Sequence, residues 1–552
     1  MQKGLPLFLL FAVYFTARLS AQTSPHSYDV HSFGAKGDGV SIDTDAINHA
    51  IIAAHEAGGG VVIFTSGVYA SFSIHLMSNV TLLLSEGSTL LAAEPGLSGR
   101  PGYDVPEANP FDRYQDFGHS HWHNSLIWGE DLENIAIVGP GRIYGRGLSR
   151  GVTHALRDLL PEERDRELIL PEATNAPKPG SITAGSFGYP SVDDTMAEGV
   201  GNKAIALKNC HNVLLRDFSI YHGGHFGIYA YATDNLAVEH LAIDTNRDGM
   251  DIDSCVEVHI SDCSVNAPWD DGICLKSCFA GGRKRPCENV TITNCNVSGY
   301  LEGTLLDGTR VRLYKGSQIS TATGRIKFGT ESNGGFKNVT VSNCTFDFCR
   351  GLALEIVDGG TMEDVSISNL TMRDIGNSAI YVRLGERNRE PNTATGRIRR
   401  INISNVVASG VDPRFSSIVE GSPDHPIEDL SLSNIRIEYR GGGASADAAI
   451  VPPENPRAYP EPEALGTMPA YGLFVRHVRG MELQDVHFSY AAADARPAFV
   501  LQDVIGADLR HVRAAHEKGV PVLVLRNSST ITTRDVVDIP DLRLDHVEAG
   551  TY

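Results

Sequence analysis

The chain has 552 residues, with 67 Asp and Glu against 47 Lys and Arg, a formal charge of −20, 42% hydrophobic residues and 56 glycines. That acidity excludes a general nucleic-acid or anionic-membrane binder, because phosphate surfaces require a basic footprint. The apolar content is ample for a core, and the glycines suit a chain with many tight turns. Length alone would allow several domains, but a solenoid extends one core over any length, so the repeats must decide.

In chain order, Met1, Gln2 and Lys3 precede an apolar run from Leu5 to Phe15 and the small residues Ser20 and Ala21. This predicts a secretory signal peptide over 1–21, with a secreted or periplasmic mature protein. The run is too short to span a bilayer and no later segment approaches a span, so no membrane partner is expected. Residues 43–57 form an amphipathic stretch predicted to be a helix capping the N-terminal end of the core. The nine cysteines all fall between Cys210 and Cys349. Most are expected to be small core residues, with Cys278 and Cys287, flanking a loop, the pair to join if export oxidises any.

A repeated phrase dominates the rest: a short β-branched run with polar alternation, then a small polar stop. It occurs at Asn212-Val-Leu-Leu-Arg, Asn235-Leu-Ala-Val-Glu, Val256-Glu-Val-His-Ile, Asn289-Val-Thr-Ile-Thr-Asn-Cys, Asn338-Val-Thr-Val-Ser-Asn-Cys, Asp364-Val-Ser-Ile-Ser-Asn, Ile401-Asn-Ile-Ser-Asn and Asp429-Leu-Ser-Leu-Ser-Asn. The steps Asn212 to Asn235, Asn235 to Glu257 and Asn338 to Asp364 are 23, 22 and 26 residues. Alternation of period two at this spacing predicts an all-β, right-handed parallel β-helix, one three-strand coil per repeat, over a single domain at 28–552. The sequons at Asn289, Asn338 and Asn369 fall on these phrases and read as polar coil positions. Three insertions interrupt the repeat, at 94–123, 149–202 and 441–469, the last Pro-rich; loops this long in a solenoid are usually functional or disordered.

Two phrases carry chemistry. Asp248 lies in Asn246-Arg-Asp-Gly-Met-Asp-Ile-Asp253, and Asp270 and Asp271 lie in Pro268-Trp-Asp-Asp-Gly-Ile-Cys-Leu-Lys276, with Asp248 and Asp270 22 residues apart. One coil of separation stacks side chains on rungs about 4.8 Å apart, which places carboxylates where glycosidic hydrolysis needs them, one to protonate the leaving oxygen and one to activate water. Like charges also raise one another's pKa, as a general acid at neutral pH requires. From Lys276 to Lys327 nine Lys or Arg stand against three Asp or Glu, a basic island suited to a uronate carboxylate. Arg325 and Lys327 alternate with Ile326 and Phe328 and are expected to project outward. His222 and His225, one coil before Asp248, are candidates for the pocket floor. His119, His121 and His123 alternate in a Trp-containing loop, a pattern more often structural than metal-binding, and Arg476-His477 is placed to reach the cleft from a loop.

These residues resemble glycoside hydrolase family 28, the polygalacturonases and rhamnogalacturonases. The resemblance starts with Phe33-Gly-Ala-Lys-Gly-Asp-Gly39 and Gly58-Gly-Gly-Val-Val, which many β-helix enzymes share, and rests on the Asn-x-Asp-Gly and Asp-Asp pair. It implies a pectin-lyase-like fold, a pectic poly- or oligosaccharide substrate, no cofactor and no metal, and inversion with Asp270 as general acid while Asp248 and Asp271 hold and activate water. From coil spacing and the basic island, His225, Lys276, Arg325 and Lys327 are the expected substrate-binding residues. The sequence departs from the family after the Asp-Asp pair: in the register that keeps coil order, Thr323 or Gly324 replaces the family's Gly-His-Gly histidine, and the usual Arg-x-Lys coil is Arg350-Gly-Leu-Ala-Leu-Glu355. Long loops around the aspartates favour exo-cleavage by a monomer. A polysaccharide lyase using Lys276, Arg325 or Lys327 as base with Ca²⁺ on the aspartates is the second reading, and a non-catalytic glycan-binding β-helix of the tailspike kind is the third.

Overall fold

Each phrase of the repeat becomes a strand, and each strand pairs in parallel with the strand one coil on. One inward position runs through the whole stack: Val213 pairs with Leu236, then Val258, Val290, Val339, Val365, Ile401, Leu430, Met481, Ala507 and Ile531. Side chains two apart on a strand share a face, so the β-branched positions of every coil stack into one continuous buried core. The computed structural model describes residues 26–95, 102–115, 118–149, 198–312, 314–315, 318–319, 322–390 and 393–552. Within them 35 strands form one sheet wound as a parallel β-helix, beside a two-stranded hairpin. The expected signal peptide and most of the 149–202 insertion lie outside the described residues.

The helix predicted at 43–57 is observed as α1, Thr44–Glu56, and its Ala46, Ile47, Ala50, Ile51 and Ala54 stripe is buried on the first coils. Asp43 precedes it, and its carboxylate accepts hydrogen bonds from the Lys36 and Gly37 amides, pinning the Gly-rich entry loop to the helix start. The far end is closed differently: Leu542–Thr551 runs antiparallel to Leu523–Arg534. No helix among the described residues is long and apolar enough to cross a membrane.

Corners are set by Asn and Asp in left-handed backbone, the conformation their short polar side chains tolerate best. Asn212, Asn235, Asn289, Asn338 and Asn369 all have φ between 50° and 58°. Their amides stack along the axis, Asn235 donating to Asn212 at 2.6 Å, Asn338 to Asn289 at 2.8 Å and Asn369 to Asn343 at 3.0 Å. The three sequons are therefore coil corners.

The Cys278–Cys287 pairing is not observed: both thiols are free, as are the other seven. Alternation separates the two. Cys287 faces into the coil and joins the main core, whereas Cys278 lies outside it in a cluster with Trp122, Tyr229 and Tyr231.

The ladder makes a stability prediction. Ile260 is fully buried between Val238 and Ile292, whereas Val407 is 53% exposed. Ile260→Ala should lower unfolding free energy by about 2–5 kcal/mol and Val407→Ala by under about 0.5 kcal/mol. Equal denaturant midpoints for the two variants would contradict the core assignment.

Candidate active site

Asp248 opens the strand Asp248–Asp253, and Asp270 and Asp271 sit in the turn before Ile273–Ser277. Met250 pairs with Ile273 and Asp251 with Cys274, so the register offset is 23, one more than the motif spacing. Asp248 thus continues onto Asp271, and Asp270 precedes it toward the surface. The three aspartates each offer an oxygen within 4.8 Å of the others. Asp270 keeps 28% of its side chain exposed, whereas Asp248 and Asp271 are buried.

The next rungs follow in the expected order. Cys274 pairs with Lys327, and Lys327 with Ala353, so the Arg325-Ile-Lys327 coil directly follows the Asp-Asp coil, and the Arg350–Glu355 coil comes after it. At Gly324 a Cβ would lie 2.0 Å from the Ser298 carbonyl oxygen, so that position has no room for a side chain. Thr323 beside it is buried, and its amide donates to the Pro268 carbonyl at 3.0 Å.

Arg325 and Lys327 do project away from the core, opposite buried Ile326 and Phe328, but they are only 2% and 1% exposed. The 441–469 insertion covers them. Arg325 donates from Nε to Asp271 at 2.8 Å and grips Glu461 with its remaining nitrogens. Lys327 Nζ lies 3.4 Å from Asp271, 3.6 Å from Glu355 and 3.8 Å from Glu461. The insertion is held by Leu465 and Met468, which pack on Ala353, Tyr381, Ile418 and Phe474, one outward residue from each of four successive coils.

The 94–123 insertion reaches the other side. Trp122 packs on Tyr229 and Tyr231, and His119 Nε2 lies 2.8 Å from Asp251. Asp251 is also 3.8 Å from Lys276 Nζ, which contacts Glu331 at 3.3 Å. His119, His121 and His123 pair with Asp251, Asp112 and Glu130, and His121 and His123 also meet Glu107, the first at its backbone carbonyl and the second at its carboxylate. Arg476 and His477 do not reach the cleft: they pair with Glu420, Glu454 and Asp503, several coils away. His225 does belong to the site. It is buried, and Phe226 beside it pairs with Asp248.

This arrangement splits the aspartates electrostatically. Burial, with the nearby Asp251 and Asp270 carboxylates, holds the Asp248 carboxyl well above the usual range against the pull of Lys276. Burial would also raise Asp271, but Lys327, Arg325 and Lys276 outweigh it and keep that carboxylate well below the usual range. Burial alone would lower Lys276 and Lys327; the negative charge of Asp251 and Glu331 around the first, and of Asp271 and Glu355 around the second, holds both ammonium groups well above the ordinary lysine range. Burial and the positive charge of Arg247 keep His225 neutral. The three oxygens span a distance that a hard divalent ion could bridge, but Arg247 on Asp270 at 2.9 Å and Arg325 and Lys327 on Asp271 already supply positive charge there.

Arg247, Asp251, Glu331 and Glu461 were not singled out by sequence. Arg247 and Asp251 lie inside the Asp248 motif and were within reach. Glu331 and Glu461 had no signal, because their partners are 55 and 136 residues away.

The family described as "Right handed beta helix region" matches residues 177–280, and "Rhamnogalacturonase A/epimerase, pectate lyase-like" matches 27–93. The exo-poly-alpha-D-galacturonosidase of Dickeya chrysanthemi is 24% identical over 50% of this chain and 47% of its own length. A probable polygalacturonase of Vitis vinifera is 21% identical over 75% of this chain and 74% of its own. The chain is thus similar, at low identity, to polygalacturonases. It spans about half the length of the first of these relatives. The family 28 exopolygalacturonase structure from Yersinia enterocolitica superposes with a TM-score of 0.61 at 17% identity, covering 88% of this chain and 78% of that one. That likeness establishes the shared right-handed β-helix.

The electrostatic split has a testable sign. An acid whose carboxyl is raised on folding loses stability as pH climbs above its unfolded value, because the native state must keep the proton or bury a charge. Asp248→Asn should therefore melt higher than wild type at pH 8, with the difference vanishing near pH 4. A variant equally or less stable at pH 8 would show that Asp248 is not held protonated.

Proposed function

We propose that this polygalacturonase relative is an inverting, exo-acting hydrolase of galacturonate-containing pectic poly- or oligosaccharides, exported to the periplasm or beyond and working as a monomer without a cofactor. The observation that carries the reading is the aspartate triad, three carboxyls within 4.8 Å with one held protonated and one held ionised. Environments that push neighbouring carboxyls apart mark acid and base. The names of the polygalacturonase relatives support the pectic substrate.

In this mechanism the exposed Asp270 meets the glycosidic oxygen and delivers the proton. Asp248, with an oxygen within 4.8 Å of Asp270, passes its own proton on to it. Asp271 orients the water that attacks the anomeric carbon, the proton that water loses passes to the Asp248 carboxylate left by that transfer, and neutral His225 stands beside the site as a partner for sugar hydroxyls. The oxygen spacing is shorter than the roughly 6.5–9.5 Å common between acid and base of inverting enzymes. Inversion is nevertheless favoured, because a carboxylate tied to Arg325 at 2.8 Å and Lys327 at 3.4 Å is a weak nucleophile and a good holder of water. The lyase reading needs a neutral base; Lys276, Lys327 and Arg325 are all held in their charged forms. The flanking insertions, His119 on one side and Glu461 on the other, favour a pocket that takes a chain end.

Digested pectic oligosaccharides should give saturated products, with mono- or disaccharide released from an end, little early loss of viscosity and no effect of chelator. Unsaturated ends, or Ca²⁺-dependent activity, would favour a lyase, and a rapid viscosity drop would show an open cleft. Proton NMR of the first product should show inverted anomeric configuration.

Asp270→Asn should lower turnover by roughly 10²-fold or more with the Michaelis constant nearly unchanged, since a general acid acts chiefly in the transition state. Wild-type turnover in that variant would remove Asp270 from the mechanism.

A further inference from the structure

Glu461 stands where a bound carboxylate would stand. Its two oxygens meet three cations: Arg325 through a two-pronged contact with one arm at 3.2 Å, Arg350 at 3.0 Å and Lys327 at 3.8 Å. A guanidinium fork matched to a planar carboxylate is the strongest form of such recognition. Glu461 is 7% exposed, and the cations hold it below the ordinary glutamate range despite its burial. It is not a loosely draped side chain, since Tyr459-Pro460 precede it, Pro462 opens the 3-10 turn Pro462–Ala464, and Leu465 and Met468 anchor the segment on the coil face.

The charges around this seat are already matched. Arg325, Lys327 and Arg350 face Asp271, Glu461 and Glu463, and Glu355, which burial pushes up to about 7, lies beside Lys327. A substrate carboxylate added here would be an unpaired buried anion, which is strongly unfavourable.

We infer that Glu461 is a built-in carboxylate that fills the anion seat of Arg325, Lys327 and Arg350, so that the sugar ring beside Asp271 is accepted in uncharged form, as a neutral sugar or an esterified uronate. This rests on reading the cleft as a hydrolase site and names the substrate class there. A pectic chain in which galacturonate alternates with neutral sugar, or in which the uronates are esterified, satisfies it, with any free carboxylate placed outside this seat.

The test compares kcat/KM on pectic oligosaccharides of matched length with free, methyl-esterified and carboxyl-reduced uronates, for wild type, Glu461→Gln and Glu461→Ala. Wild type should favour the uncharged forms by about 10-fold or more, and either variant should move the ratio at least as far toward the free acid. The isosteric Glu461→Gln keeps the test alive if the alanine variant folds poorly. In a readout independent of catalysis, galacturonate but not galactose should raise the Tm of the variants, and neither should move wild type through this seat. A wild type that prefers the free acid, or variants with an unchanged ratio and no response to galacturonate, would overturn the inference. Inactivity of wild type on every pectic oligosaccharide would sink the hydrolase reading, while stabilisation of the variants by galacturonate would still establish the seat.

Discussion

A parallel coil forces its outward side chains into files, one per rung, about 4.8 Å apart. Whatever charge a coil carries must be reconciled with the charge above and below it, because like charges at that distance oppose ionisation. The site is the place where this constraint is turned to use. Carboxyls from two coils come together, burial and like charge push one toward its protonated form, and the cations of the following coil favour the ionised form of another. Farther along, the same rule gives the pairing Glu355, Arg383, Glu420, Arg476, in which acid and base alternate rung by rung. The catalytic stretch differs in letting acids accumulate.

That accumulation explains why the insertions matter. The coil alone would leave Arg325 and Lys327 against water on one side and Asp271 on the other. The 441–469 segment removes the water and adds a carboxylate, and the 94–123 segment adds His119, which burial would lower but which Glu331 and Asp251 hold above its ordinary range. Both segments make the surroundings of the aspartates drier, which strengthens every remaining interaction. The triad thus owes its electrostatic split partly to residues that the repeat does not contain.

The β-helix, its capping helix and the three aspartates were readable from sequence because each has a local signature: period two, a helical apolar stripe, and motifs one coil apart. The order of the Arg325 and Arg350 coils was also visible, since coil counting fixes it. Exposure of Arg325 and Lys327 was not. Alternation says which way a side chain points, and nothing in it says what a loop from four coils away will lay over the top. Cys278 and Cys287 were misjudged for a related reason. Their nearness in sequence suggested contact, but the strand start between them turns one inward and leaves the other outside. The aspartate register slipped by one because the turn at Asp270 adds a residue before the strand begins.

The long reach of the 441–469 segment also bears on the order in which the molecule assembles. Coils of a solenoid form from pairings between neighbours and can propagate from any starting point, so the body from Lys203 to Glu420 needs nothing beyond itself to wind. The contact between Arg325 and Glu461 closes over 136 residues, and it waits until the later coils and their outer apolar line exist. That closure is therefore completed later than the pairings of neighbouring coils. A nascent chain presents bare basic residues beside its aspartates until that closure, and the mature electrostatics belong only to the fully wound protein.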